Sequence, residues 1–345
     1  MTVEGQAVEG REFKDRKVGL VIVGALQIVL AGFCALGCAG MAIGMLAMRA
    51  HGGETVPISL RMMIPGMVFY VLLGTWFLVM GIGSIQARRW ARALNLVAAW
   101  FWLLSGALGL LFMVLFMGDL PTQTAGGQQI PPQVAVALKV GILVFSGIFY
   151  VALPGALVLF YRSPHVKATC EFRNPQPSWT DRVPLPVLAM TLLFGLGAPC
   201  MFLMGFYGWT VPFFGVVLSG WAAAAVVLLS ACLWGYIAWG SYRLNIAAWW
   251  LALVGSLLWT VSAGITFMRV GIMEFQQRMY RGVAMPAQQM EVMRETVQRM
   301  QGVFPVITAL WALVIVAYLI WVRRYFVAAQ GRGFNGNMSE HGTAE

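Results

Sequence analysis

The residues best suited to chemistry in this chain are three histidines, His51, His165 and His341, and five cysteines, Cys34, Cys38, Cys170, Cys200 and Cys232. None of the histidines falls inside a long apolar run. Two of them therefore cannot face each other across a haem within a membrane, and the Glu-x-x-His pairs of a four-helix di-iron site are missing. Cys34 and Cys38 share a helix face at i, i+4 but have no histidine beside them, which makes a poor zinc set. Cys34, Cys38, Cys200 and Cys232 lie in apolar runs, where a thiol packs as a small hydrophobe, and no disulfide framework is indicated. An intramembrane aspartyl pair needs two buried acids, and the apolar runs contain none. The expectation is a protein without a catalytic, metal-binding or cofactor-binding set, and so not an enzyme.

A few polar residues in or beside the apolar runs carry the remaining possibilities. Lys139 lies a short way into one run and Asp119 just beyond the preceding one. Together they could form a gate or an anion site, but a lysine near the end of a span also snorkels its ammonium to the interface, and that reading is preferred. Asn95 and Asn245 each sit one turn inside a helix that follows an arginine-bearing turn. They are candidate pore-lining groups; the preferred reading is a hydrogen bond to a neighbouring helix or the headgroup region, at about 1 kcal/mol or less each. Met290 and Met293 would suit Cu(I). With 21 methionines in the chain, however, a methionine stripe reads first as an adaptable apolar face.

The elements that position these residues follow from composition. Of 345 residues, 60% are hydrophobic and 10% are charged, against about 25% charged in a soluble domain. Several runs exceed the roughly 20 apolar residues that cross a bilayer as a helix. They are continuous rather than alternating, which excludes a membrane β-barrel. The net charge of +10 comes from arginines and lysines scattered over membrane-flanking turns, where topology demands them, so no nucleic-acid partner is expected. The fold class expected is all-α: a polytopic integral membrane protein with eight transmembrane helices. Approximate spans are Val18–Met48, Met62–Ala87, Ala93–Met117, Val134–Tyr161, Leu185–Tyr207, Val211–Ala238, Leu244–Met268 and Val303–Val322.

Two stretches organise the chain. Residues 81–96 carry Arg88, Arg89 and Arg92 between two apolar helices, with no acid. Residues 233–248 repeat the pattern more weakly around Arg243. Arg92 and Arg243 superpose, each followed within three residues by Asn95 or Asn245. Phe160-Tyr161-Arg162 likewise aligns with Trp321-Val322-Arg323. Two tandem four-helix repeats follow, parallel because four is even, whereas inverted repeats need an odd number. The expected organisation is an arm at 1–17, repeats at 18–162 and 185–324 joined by a linker at 163–184, and a tail at 325–345. Arm and tail are expected to be disordered. Within the second repeat, 269–302 reads as a helical hairpin on the outer surface, with Met290, Met293, Val297 and Met300 on one face.

Orientation follows from lysines and arginines. Arg88, Arg89, Arg92, Arg162, Arg243, Arg323 and Arg324 all fall on the side of the N-terminus, which is therefore cytoplasmic. The setting expected is the inner membrane, with both termini inside. The preferred function is a non-catalytic scaffold or component of a membrane complex, with the lipid bilayer and a protein docked at 269–302 as its partners. The alternative is an uncoupled permease for a neutral small molecule or lipid, suggested by Gly37, Gly40, Gly44 and Gly195, Gly197, Pro199 in matching places.

Overall fold

The structure is a computed structural model, and it describes residues 14–50, 60–116, 131–279, 291, 294–295, 297–298 and 304–341. Long helices dominate because lipid offers no partner to a backbone amide, so each segment must satisfy its own. The order is α1 (Lys17–Ala50), α2 (Leu60–Ile85), α3 (Arg89–Phe116), α4 (Pro132–Gly147), a π-helical turn (Ile148–Ala152), α5 (Leu153–Arg162) and α6 (Pro164–Arg173). A 3-10 turn (Trp179–Asp181), α7 (Leu185–Cys200) and a second 3-10 segment (Met201–Tyr207) come next. The chain ends with strands β1 (Thr210–Phe213) and β2 (Val216–Ser219), then α8 (Trp221–Tyr242), α9 (Ile246–Arg269), α10 (Ile272–Met279) and α11 (Phe304–His341). Among the described residues, eight helical segments are long and apolar enough to cross a membrane.

The structure departs from the sequence expectation in several places. The sixth span does not begin at Val211. Residues 210–219 form an antiparallel hairpin in which Val211 pairs with Leu218 and Phe213 with Val216, and α8 starts only at Trp221. A short apolar run rich in Val and Phe reads as helix or strand alike. Here the turn decides: Phe214 (φ 41°) and Gly215 (φ 92°) both take positive φ, as a two-residue primed hairpin turn requires. The linker expected at 163–184 contains α6, whose Val166, Thr169 and Cys170 are buried. This i, i+3, i+4 face is too short and too polar in its surroundings to stand out. The tail expected to be disordered from residue 325 continues α11 to His341; adding residues to a formed helix avoids the cost of a new nucleus.

The chain forms two compact units: residues 1–32 with 75–182, and residues 33–74 with 183–345. The repeat boundaries expected at 18–162 and 185–324 thus differ from the packing, because the C-terminal part of α1 and the N-terminal part of α2 group with the second unit.

In the first unit α3 is the central rod, packed on α5, the π turn, α4, α6 and the first 3-10 turn. Pro154 has no N–H, so the carbonyl of Tyr150 lacks its ordinary α-helical donor. The chain passes that point as a π turn, and Gly106 of α3 lies against it; a Cβ at Gly106 would collide with the Tyr150 carbonyl oxygen. Trp102 and Phe149 seal the same contact edge to face at 5.1 Å. A Cβ on Gly24 would come 2.6 Å from the Gly81 carbonyl oxygen, so α1 and α2 cross here in backbone contact.

The second unit is built on the α7–α8 pair, with α8 on α9 and α9 on α11. Gly197 leaves the space that the Trp234 ring fills, and Phe194 meets the same ring at 5.1 Å. The matching glycines of the sequence therefore serve packing at Gly197, while Gly40 and Gly44 face open space. The Trp249 indole donates to the Leu319 carbonyl at 2.7 Å, tying α9 to α11.

Candidate functional site

The arginine turn at 86–88 is closed by two backbone bonds. Ala87 N–H donates to Ser84 O and Arg88 N–H to Gly83 O, both at 2.9 Å, with Ala87 in the left-handed region at φ 51°. This is a Schellman closure, made without the usual glycine. The turn at 243–245 has the same geometry. Leu244 (φ 55°) donates to Ser241 O and Asn245 to Gly240 O, again at 2.9 Å. A Cβ on Gly83 would meet Ala91 Cβ at 2.6 Å, and one on Gly240 would meet Ala248 Cβ at 2.6 Å. The geometric counterparts are thus Gly83 and Gly240, Ser84 and Ser241, Arg88 and Asn245, a register different from the one that superposes Arg92 on Arg243.

Asn245 consequently lies outside the helix rather than one turn inside it. It is the N-cap of α9, its side-chain oxygen accepting from Ala247 N–H at 2.9 Å. Asn95 does lie inside α3. It is 5% exposed and accepts from Gln27 Nε2 of α1 at 2.6 Å. Gln27 escaped the sequence reading, although it is the only side-chain amide in its apolar run. Nearer the turn, Ser84 Oγ donates to Leu20 O at 3.2 Å and shares a hydrogen bond of 3.0 Å with Tyr161.

A polar lid covers the turn of the first unit. Asn174, just after α6, donates to the carbonyls of Gln86 and Ala87 and accepts from Arg88 Nη1 at 3.1 Å. Arg89 reaches Asp181 at 3.5 Å and Glu171 at 3.7 Å, and Lys167 also pairs with Glu171. Residues 14–16, expected in the disordered arm, run along α6. Arg16 N–H donates to Thr169 Oγ1 at 3.0 Å and Lys14 N–H to His165 Nδ1 at 3.4 Å. Asp15 pairs with Arg173 at 2.8 Å; the Arg173 guanidinium, helped by the Lys17 amide, holds its carboxyl below the usual carboxylate range. Burial pushes the Cys170 thiol up to about 11, against the opposing charge of Arg92.

In the second unit Arg278 pairs with Glu274, while three other arginines meet rings. Arg243 lies over Trp239 at 4.7 Å, Arg323 over Trp249 at 5.4 Å and Arg324 over Trp321 at 4.8 Å, each a cation–π contact. Arg162 is the exposed last residue of α5. Three acids of the second unit, Glu274, Glu291 and Glu295, come between α9 and α11. There the hairpin is strapped down: Phe214 N–H donates to Ser262 Oγ at 3.0 Å and Gly215 N–H to Thr266 Oγ1 at 2.9 Å. Arg278 of α10 donates to Val217 O at 3.1 Å. Phe213, Phe214 and Val216 remain exposed.

Lys139 is half-buried within α4. Asp119, its suggested partner, lies outside the described residues, as do Met290, Met293 and Met300. Among the described residues no three His, Cys, Asp or Glu side chains come together as a metal would require.

Among the described residues, eight helices long and apolar enough to cross a membrane define a polytopic α-helical membrane protein. No protein-family model matches the chain, and neither the curated proteins nor the solved structures contain a significant match.

Proposed function

We propose that this chain is a non-catalytic component of a membrane assembly, with its arginine turns and both termini in the cytoplasm and the hairpin on the outer side. Its two halves are read as parallel four-helix repeats. The identical closure of the turns after Ser84 and Ser241 supports the repeat, and the distribution of lysines and arginines supports the orientation and a placement in the inner membrane.

One observation carries the assembly reading. The apex of the hairpin holds Phe214 at φ 41°, a conformation that costs a bulky residue about 1–2 kcal/mol and suits asparagine better. Ser262 and Thr266 fix that apex, so Phe213 and Phe214 are presented rigidly and exposed. Strain of this kind concentrates where a side chain serves a contact. The partner surface is the hairpin together with α10, which Arg278 joins to it.

The test is a mild-detergent pull-down of the tagged protein with mass spectrometry of retained proteins and lipids, repeated with Phe214→Asn. The expected result is a stoichiometric protein partner that Phe214→Asn releases while leaving the protein folded. Retention of one lipid or small molecule, with no protein partner, would overturn this reading in favour of the permease.

A further inference from the structure

Arg92 makes no close ion pair among the described residues of the first unit; Glu171 and Asp181 attract its guanidinium only through space. Its Nε is sealed from solvent without a partner, and among the described residues its guanidinium makes no ion pair or hydrogen bond. The nearby carboxylates are committed elsewhere: Asp181 and Glu171 to Arg89, and Glu171 to Lys167 as well. Arg88, one turn earlier, is exposed and bonds only neutral amide oxygens. Arg88, Arg89, Arg92 and Lys167 thus face two carboxylates and leave a surplus of positive charge. A partly buried guanidinium is costly unless an anion covers it.

Other donors without partners lie on α3 or on the turn packed against it. Thr180, in the 3-10 turn that packs on α3, is 4% exposed, and its Oγ1 has no hydrogen bond. The Nε of Arg89 is likewise sealed and unpartnered. The first turn of α3 adds the free amides and positive end of a long helix. This turn also opens a membrane span, the level at which lipid phosphates lie. Among the described residues the second unit has no such set. In the register of the two turns the counterpart of Arg92 is Trp249, which is 2% exposed and bonded to Leu319 O.

We propose that Arg92, with Arg88 and Thr180, binds a phosphate group, either the headgroup of an anionic phospholipid or free phosphate. Guanidinium groups match phosphate oxygens in charge and in fork geometry. The site is independent of the assembly reading, since it sits in the first unit and uses no residue of the hairpin.

The test measures phosphatidylglycerol binding to the full-length protein in detergent by native mass spectrometry, with phosphatidylcholine as the neutral reference and inorganic phosphate as competitor. Arg92→Gln should weaken phosphatidylglycerol binding about tenfold, the size of one lost charge-assisted bond. Arg88→Gln, a change at an exposed side chain, should weaken it severalfold. Displacement by millimolar inorganic phosphate would make free phosphate the ligand; persistence of the lipid would make it the headgroup. Equal affinity for wild type, Arg92→Gln and Arg88→Gln would overturn the proposal, as would an equal loss in Arg243→Gln of the second unit. If Arg92→Gln does not fold, unchanged binding by Arg88→Gln alone overturns it.

Discussion

Asn95 and Asn245 occupy similar places in the sequence and hold different parts of the structure together. Asn95 clasps α3 to α1 through Gln27, whereas Asn245 caps α9. Asn95→Ala should lower stability by about 0.5–1.5 kcal/mol, since Gln27 is left without its acceptor. The double change Gln27→Leu/Asn95→Leu should recover most of that loss, as replacing both partners removes the unmet polar groups. Unfolding midpoints in a denaturing detergent titration check both; a double variant no better than Asn95→Ala would contradict the clasp. Asn245→Ala should cost about 1 kcal/mol, the usual loss for an N-cap. Asp15 supplies a pH dependence. Its carboxyl is held below the ordinary aspartate range in the folded state, so its contribution is present above that range and is lost as pH falls through the lower, folded value. Residues 14–16 should therefore stay docked on α6 at neutral pH and down through the ordinary carboxylate range, and release only in stronger acid. Cys170 reports on the same lid. Buried, with its thiol pushed up to about 11, it should resist thiol reagents at pH 8 in a variant retaining only that cysteine, and react once Asn174→Ala loosens α6.

At the scale of elements, Gly106 and the π turn make one joint. Gly106→Ala should destabilise by about 1–3 kcal/mol, because the new methyl meets a backbone carbonyl that cannot rotate away. A thermal-unfolding midpoint equal to wild type would contradict the contact. The spans themselves were legible in the sequence, for a charge-free run of some 20 residues has one solution in lipid. The hairpin was not. Its strands are four residues each, and the bonds that fix its apex come from Ser262 and Thr266, about 50 positions away. No local pattern announces such a partner. The Schellman closures were hidden for a related reason: Ala87 and Leu244 stand where a glycine would have signalled the turn. The lid was missed because Glu171, Asn174 and Asp181 look like a solvated linker until α3 is beside them. The repeat was visible in outline, but aligning arginines gave a different register from aligning the turn bonds. Phe214→Asn should keep or raise the unfolding midpoint, since asparagine suits the left-handed region.

For the molecule as a whole, the described charges sort by end and by unit. In the first unit Arg89 of the turn is met by Glu171 and Asp181, and Arg173 by Asp15; in the second, Arg243, Arg323 and Arg324 stack on indoles. The proposed orientation predicts opposite labelling of two single-cysteine variants in intact cells. Gln277→Cys, on α10, should react with a membrane-impermeant maleimide, and Ser178→Cys, beside the lid, only after the cells are opened. The strapped hairpin also bears on the order in which the chain is made. The amides of Phe214 and Gly215 leave the ribosome long before their acceptors do: Thr266 follows Gly215 by 51 residues, roughly 3–10 s of synthesis at about 5–20 residues per second. During that interval no span can bury the apex without stranding two N–H groups in hydrocarbon. The α7–α8 pair must therefore wait with its tip in water, and α9, on arrival, draws the tip in.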